Sequence, residues 1–272
     1  MLRLNSGESS YNMEKPIIQV HIPYPVLLER LDEVLEKKIN PEIYLDGDWI
    51  QGVLPATLKR LSVAFEERGL RVTLHGPYAD INPGSFREEV RLKTIERYKS
   101  AFEAASILKA KNIVLHAGYS ERAFKGDMGR WLEQSLKTWP EFASLAESQG
   151  ITIAAENIFD KNPLALLSLV KAVGSPAFMV CIDAGHLNIC ADVPFEDWFT
   201  TLGGYIAEVH LHDNNGKNDD HMVPGTGSVD FRRIFSLIRQ CPNEPVYTIE
   251  PHMAEDILPG IEAVQGFLRD KG

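Results

Sequence analysis

The chain has 272 residues, 28 Lys and Arg against 38 Asp and Glu for a formal net charge of −10, and 44% hydrophobic residues. That composition excludes a disordered tail, a collagen-like chain and a disulfide scaffold, and an acidic balance without a polybasic segment offers no general field to nucleic acid or an anionic membrane. No apolar run approaches the ~18 residues of a membrane span, Met1–Glu14 has no signal-peptide core, and Cys181, Cys190 and Cys241 lack paired spacing, so the expected compartment is the cytoplasm.

Residues 1–14 read as a flexible N-terminal extension and residues 15–272 as one domain. From Lys15 onward each short β-rich run is followed by a segment of helical period. Pro16–Ile22 leads into Val26–Lys37, Pro41–Asp46 into Pro55–Arg68, and Arg71–His75 into Ser85–Lys109. Asn112–His116 precedes Asp127–Gln149, and Ile151–Asn157 precedes Pro163–Ala172. Phe178–Asp183, Tyr205–His212 and Val246–Glu250 are followed by Pro194–Leu202, Phe231–Arg239 and Glu255–Arg269. Strict alternation implies parallel strands with right-handed crossovers. Eight such units in ~250 residues match a closed (β/α)8 TIM barrel; an open doubly wound sheet shows a glycine-rich first turn, and none follows Ile22. Locally, Ser85 with Glu88 reads as a capping box and Asp230 as a helix cap. Gly69 and Gly150 stand where helices stop.

Polar residues collect at the strand ends: His75, His116, Glu156, Asp183 with His186, His210 with His212, and Glu250. The loop after the seventh strand adds Asp219 and His221. In a barrel these positions converge on the face that carries active sites. Each alone has an ordinary explanation: a buried histidine, a paired glutamate, or Asp183 as a helix cap. Together, carboxylates so placed repel one another unless a cation joins them. Imidazole and carboxylate ligands suit zinc, manganese, cobalt or iron better than calcium. The expected cofactor is therefore a divalent metal (Zn, Mn or Co), one ion and up to three. Gly185 allows a tight turn between Asp183 and His186. Gly225 and Gly227, just beyond His221, are expected to bring backbone close to whatever the pocket holds. His21, His252, Cys181 and Cys190 are left out of the site. Trp49, Tyr78 and Trp198 either build a sugar-stacking wall or cover the rim, with Tyr78 the best placed to meet substrate.

These residues resemble the xylose isomerase-like TIM barrels, which join sugar and sugar phosphate isomerases and epimerases with apurinic endonucleases of the endonuclease IV type. The carriers are LHGPYADINPGS from Leu74, VLHAGY from Val114, AAEN from Ala154, CIDAGHL from Cys181, EVHLHDNNGKNDDHMVPGTGSVDF from Glu208 and TIEPH from Thr248. The resemblance runs from about Pro16 to the C-terminus. The epimerase branch implies one metal on Glu156, Asp183, His210 and Glu250. Glu156 and Glu250 would also be catalytic, moving a proton beside a carbonyl through a metal-stabilised enediolate. His186, Tyr78 and His212 would bind substrate.

The endonuclease branch implies a trinuclear zinc phosphodiesterase, and all nine of its ligands have counterparts: His75, His116, Glu156, Asp183, His186, His210, Asp219, His221 and Glu250. On that reading His75, His116, His186, Asp219 and His221 hold additional metal; otherwise they meet substrate hydroxyls. DNA requires basic side chains on the early loops. The stretch from Leu45 to Gly52 is acidic instead, Tyr78–Ser85 has no Lys or Arg, and only Lys217 stands near the later loops. The expected function is thus a metal-dependent isomerase or epimerase of a small sugar or polyol, with the zinc phosphodiesterase as the alternative and nucleic acid not the expected partner. An Arg/Lys cluster for a phosphorylated substrate is missing, which leaves backbone amides near Gly225 and Gly227 as the phosphate-binding groups. Many barrels of this type pair, so the expected assembly is a homodimer.

Overall fold

The structure, a computed structural model, describes residues 16–46 and 52–270. The extension 1–14 and Trp49 lie outside the described residues. Eight parallel strands close on themselves in sequence order. They are β1 (Ile18–Pro23), β2 (Asn40–Tyr44), β3 (Thr73–His75), β4 (Asn112–His116), β5 (Thr152–Glu156), β6 (Phe178–Asp183), β7 (Ile206–Leu211) and β8 (Val246–Ile249). Closure is made by β1 against β8, with Ile18, Gln19 and Val20 opposite Tyr247, Thr248 and Ile249. All eight expected strands are present, and the fold is the expected TIM barrel. Among the described residues, no helix is long and apolar enough to cross a membrane.

The helices depart from the sequence reading where local chemistry breaks them. Val26–Lys37 is two short helices, α1 (Tyr24–Glu29) and α2 (Leu31–Glu36), separated at Arg30. Helix α3 (Pro55–Arg68) has proline in its first turn and ends at Gly69 with φ 66°, the positive angle for which glycine has no steric cost. The expected box at Ser85 does not form. Its hydroxyl accepts from Arg87 N at 3.2 Å, while α4 (Glu88–Leu108) begins at Glu88 itself with Arg87 in the N-cap position, too late along the chain for the reciprocal pair. Asp127–Gln149 is divided into α6 (Met128–Ser135) and α7 (Trp139–Gln149). Pro140 has no N–H to continue a helical ladder through this point, so the chain restarts there and runs to Gly150, φ 66°. Before that break lies α5 (Glu121–Phe124), capped by Ser120. The remaining helices are α8 (Leu164–Val173), α9 (Ala184–Cys190), α10 (Phe195–Leu202), α11 (Phe231–Ile238) and α12 (Ile257–Arg269). Asp230 caps α11 by accepting from Arg233 N, as expected.

The apolar core lies between sheet and helices, one continuous cluster that includes Leu27, Phe65, Phe102, Trp139, Leu169, Trp198 and Phe235. Trp198, read as a loop or rim aromatic, is fully buried on α10. The inside of the barrel is different. Val114, Ala154 and Cys181 form a small separate apolar patch. Beside it, Gln19 Nε2 donates to Thr73 (2.7 Å), Glu208 (2.6 Å) and Thr248 (2.8 Å), and Asn112 donates to the second Glu208 oxygen (2.9 Å). This layer satisfies most of its polar atoms internally, as buried polar groups must, and it supports a charged layer above it.

Candidate metal centre

Every second strand residue faces the barrel axis, and the strand ends deliver ionisable groups there. His21 comes from β1, Glu42 from β2, His75 from β3, His116 from β4, Glu156 from β5, Asp183 from β6 and His210 from β7, with Glu250 directly after β8. Glu42 pairs in register with His21 on one side and Thr73 on the other. His116 lies opposite Glu156, and Asp183 opposite His210.

Second contacts set the direction of the imidazoles. His75 Nδ1 donates to Gly76 O at 2.9 Å, His186 Nδ1 to Asn157 O at 3.0 Å, and His221 Nδ1 to Glu250 O at 2.8 Å. A carbonyl only accepts, so in each ring Nδ1 carries a proton, and in the neutral imidazole Nε2 is the nitrogen that offers its lone pair. Asp183 is shaped similarly: Oδ1 caps α9 by accepting from His186 N at 2.6 Å, while Oδ2 has no hydrogen-bond partner. Asn157 ties the ends of β5 and β6 together, accepting from Asp183 N at 2.9 Å and donating to Asp183 O at 3.2 Å.

Three sets of donors result. Glu156 Oε2 lies 3.1 Å from His75 Nε2 and 3.0 Å from His116 Nε2. The other oxygen of Glu156 is 3.3 Å from His210 Nδ1, which also faces Glu250 Oε1 at 3.1 Å and Asp183 Oδ2 at 4.0 Å. Asp219 Oδ2 lies 3.3 Å from His221 Nε2 and 3.5 Å from His186 Nε2. All nine residues expected as metal ligands therefore meet in one mouth.

Buried Asp183 Oδ2, Glu42 Oε2 and both ring nitrogens of His210 and His212 have no hydrogen-bond partner, a costly state unless another group meets them. The donor set fits a divalent cation, which imidazole nitrogen and carboxylate oxygen both coordinate. Protons can fill part of the same role. Burial works against charge on His186, His75 and His221, yet neighbouring carboxylates hold them up at about 11, about 9 and about 9. Burial would raise Glu156 and Glu250, but the adjoining imidazoles, His210 foremost, keep both well below the usual carboxylate range. For His116, burial prevails and the pKa falls.

Sequence reasoning missed Glu42 and undervalued His21. Glu42 is fully buried; Oε1 faces His21 Nδ1 at 2.9 Å and Oε2 faces His210 Nε2 at 3.4 Å. Both imidazoles keep its pKa down at about 2 against burial. The available signal was a charge standing among apolar neighbours in a short strand.

The loop after β7 also differs from expectation. Gly225 and Gly227 do not spend their N–H groups on the pocket. They donate to Asp213 Oδ2 at 2.9 and 2.8 Å, while Asp213 Oδ1 accepts from Asn214 N at 2.8 Å and Val229 N at 3.0 Å. A Cβ at Gly227 would collide with Asp213 and Asn214. The close approach that the glycines permit is internal to the chain and holds Asp219 and His221 in place.

The centre opens into a cavity of about 600 Å³, lined by Tyr78, His186, Asp219, His221 and Glu250 among others, with no Lys or Arg among the described lining residues. Tyr78 is half exposed and stacks on Tyr44. His252 reaches the wall and stacks on His221 at 4.0 Å. His212 does not line the cavity. It is buried behind His221, parallel to it at 3.8 Å, with Nε2 3.1 Å from Asp183 Oδ1.

Comparison with known proteins agrees with the fold. The model of the family described as xylose isomerase-like TIM barrel matches residues 42–271. A solved D-tagatose 3-epimerase-like protein superposes with a TM-score of 0.79 at 26% identity, covering 93% of this chain and 97% of that one. The uncharacterized protein MJ1311 of Methanocaldococcus jannaschii is 28% identical over 221 residues, 79% of this chain and 75% of its own. A protein named "Probable endonuclease 4" from Mesomycoplasma hyopneumoniae is 24% identical over 193 residues, 61% of this chain and 64% of its own.

Proposed function

The chain belongs to the xylose isomerase-like TIM barrel family, and within it we propose a divalent-metal-dependent isomerase or epimerase of a small, uncharged sugar or sugar derivative. The observation that carries this reading is the pair Glu156 and Glu250, two carboxylates that line one cavity from strands three apart around the ring. Such a pair can remove a proton from a carbon beside a carbonyl on one side and return one on the other. Held ionised by the imidazoles, both are weak bases in water; a substrate that fills the cavity and displaces solvent raises their basicity. Tyr78 and His186 stand on the cavity wall where a sugar would lie, and His212 supports His221 from behind.

Glu156, Asp183, His210 and Glu250 are the residues that would hold the principal ion. His75 and His116 with Glu156, and His186 with Asp219 and His221, would hold two more. A bound divalent metal supplies electrophilic stabilisation of negative charge on substrate oxygens. The wall without Lys or Arg favours an uncharged guest over a phosphate or a DNA backbone. A second reading, a zinc phosphodiesterase like endonuclease 4, is favoured by one observation: all nine residues close into three donor sets.

The test is hydrogen exchange in D2O with metal-loaded protein and a panel of ketoses, alongside metal analysis by mass spectrometry. Exchange at the carbon beside the carbonyl is expected, and Glu250→Gln should abolish it even in preparations that retain metal. Exchange that survives in the variant overturns the glutamate-pair reading. Three zinc ions per chain, no exchange and cleavage of abasic duplex would establish the second reading.

A further inference from the structure

A smaller cavity of about 240 Å³ adjoins the first. Tyr78, His116, Glu156, Ile158 and Phe159 line both, so the side space begins at the Glu156 carboxylate and leads away between the loops that follow β3, β4 and β5. Asp160 lines it and is 3% exposed. One Asp160 oxygen accepts from Ile158 N at 3.3 Å, and Oδ1 has no hydrogen-bond partner. A buried acceptor without a donor is costly and marks a place where something is missing. The other walls include Tyr119 and Phe159, and none of the described lining residues is Lys or Arg.

Resting on the sugar isomerase reading above, we propose that the substrate is a glycosylated ketose, its reacting unit at Glu156 and Glu250 and its second sugar ring in the side cavity with a hydroxyl on Asp160 Oδ1. The ring's C–H faces suit the aromatic walls, and its hydroxyls supply the missing donor. Burial pushes Asp160 up to about 7 against its backbone hydrogen bonds. A hydroxyl serves either form, donating to the carboxylate or accepting from the acid. A phosphate would need a cation, and no Lys or Arg stands among the described lining residues.

The experiment compares D-fructose with its 4-, 5- and 6-linked glucosyl derivatives (maltulose, leucrose and isomaltulose), all of which leave the hydrogen beside the carbonyl at C3 in place. Titration calorimetry on the protein with its as-purified metal should show at least one disaccharide binding about tenfold or more tightly than fructose, the effect of one buried hydrogen bond to a charged group. Ala123→Trp, at an exposed position on the side-cavity wall, should erase that preference and leave fructose binding within about twofold. Asp160→Asn should weaken it. Disaccharides that bind no better than fructose, or do not bind, overturn the proposal, as does a preference that survives Ala123→Trp. Exchange at C3 in D2O separates this from the underlying reading. Exchange without disaccharide preference sinks the side-cavity assignment alone. A preference abolished by Ala123→Trp, with no exchange on any of the four sugars, supports the side cavity and sinks the isomerase.

Discussion

Asp213→Asn tests how the loop that carries Asp219 and His221 is held. The substitution keeps size and one acceptor but turns half of the carboxylate into a donor. Whichever way the amide turns, its NH2 faces two backbone N–H groups, either Asn214 and Val229 or Gly225 and Gly227. A buried donor left without its acceptor costs about 1–3 kcal/mol, so two cost about 2–6 kcal/mol. Gly225 and Gly227 are exposed and can turn to water if the loop loosens, whereas Val229 N is buried. The amide will therefore point toward the glycines and the loss will fall near the low end, about 2–3 kcal/mol. For a chain of this size that lowers Tm by about 4–12 °C. Thermal unfolding gives the total, and hydrogen-exchange mass spectrometry over residues 213–229 shows where it falls. Exchange should speed up in that segment and stay unchanged in β4 and β5. A Tm within about 1 °C of the parent with unaltered exchange would refute the clamp.

Other substitutions address the centre itself. Glu42→Gln replaces a charged partner of His210 by a neutral one, a change of about 1–1.5 kcal/mol; metal affinity measured against a competing chelator should fall about 5- to 13-fold, and unchanged affinity would remove Glu42 from the support of the centre. A Cβ at Gly185 would overlap the His212 ring, so Gly185→Ala should cost about 1–3 kcal/mol in thermal unfolding; adding His212→Ala should recover most of it, and no recovery would show that the ring is not what the glycine accommodates. Because His75, His186 and His221 have raised pKa values in the folded chain, their contribution is complete below about pH 6.5 and is lost as pH rises through 9 and beyond. Chelator-treated protein should thus lose Tm steadily from pH 6.5 to 10, and metal-loaded protein much less; matching profiles would contradict this.

The barrel was legible because its two periods are local. Each strand is a short apolar run, each helix an amphipathic one, and Gly69 and Gly150 mark stops that need left-handed backbone. Helix interiors were less legible, since the restart at Trp139 depends on one missing N–H at Pro140 and the failed Ser85 box on an N-cap displaced from Ser85 to Arg87. In the site, strand-end position together with the loop after the seventh strand pointed to the nine His and carboxylate groups that the structure brings to one mouth. Glu42 was not visible because it sits not at the end of the expected strand Pro41–Asp46 but near its start, where only the register with His21 reveals its direction. The roles of Gly225, Gly227 and His212 depended on partners distant in the chain: Asp213 for the first two, Asp183 and Gly185 for the third. A Pro-Gly or His-Asp dipeptide carries no record of such a partner.

Glu250 also has a bearing on how the ring shuts. Its Oε1 reaches His210 Nδ1 at 3.1 Å on one neighbouring strand and His21 Nδ1 at 3.3 Å on the other, while the backbone seam between β1 and β8 is only three register pairs long. The last strand to be synthesised therefore brings both the latch of the circle and a wall of the pocket. Until it docks, β1 and β7 each present an unpaired edge, and the donor cluster lacks one of its four central members. Closing the ring and completing the donor cluster therefore depend on the same strand, so a chain stalled short of β8 has both an open edge and an incomplete cluster.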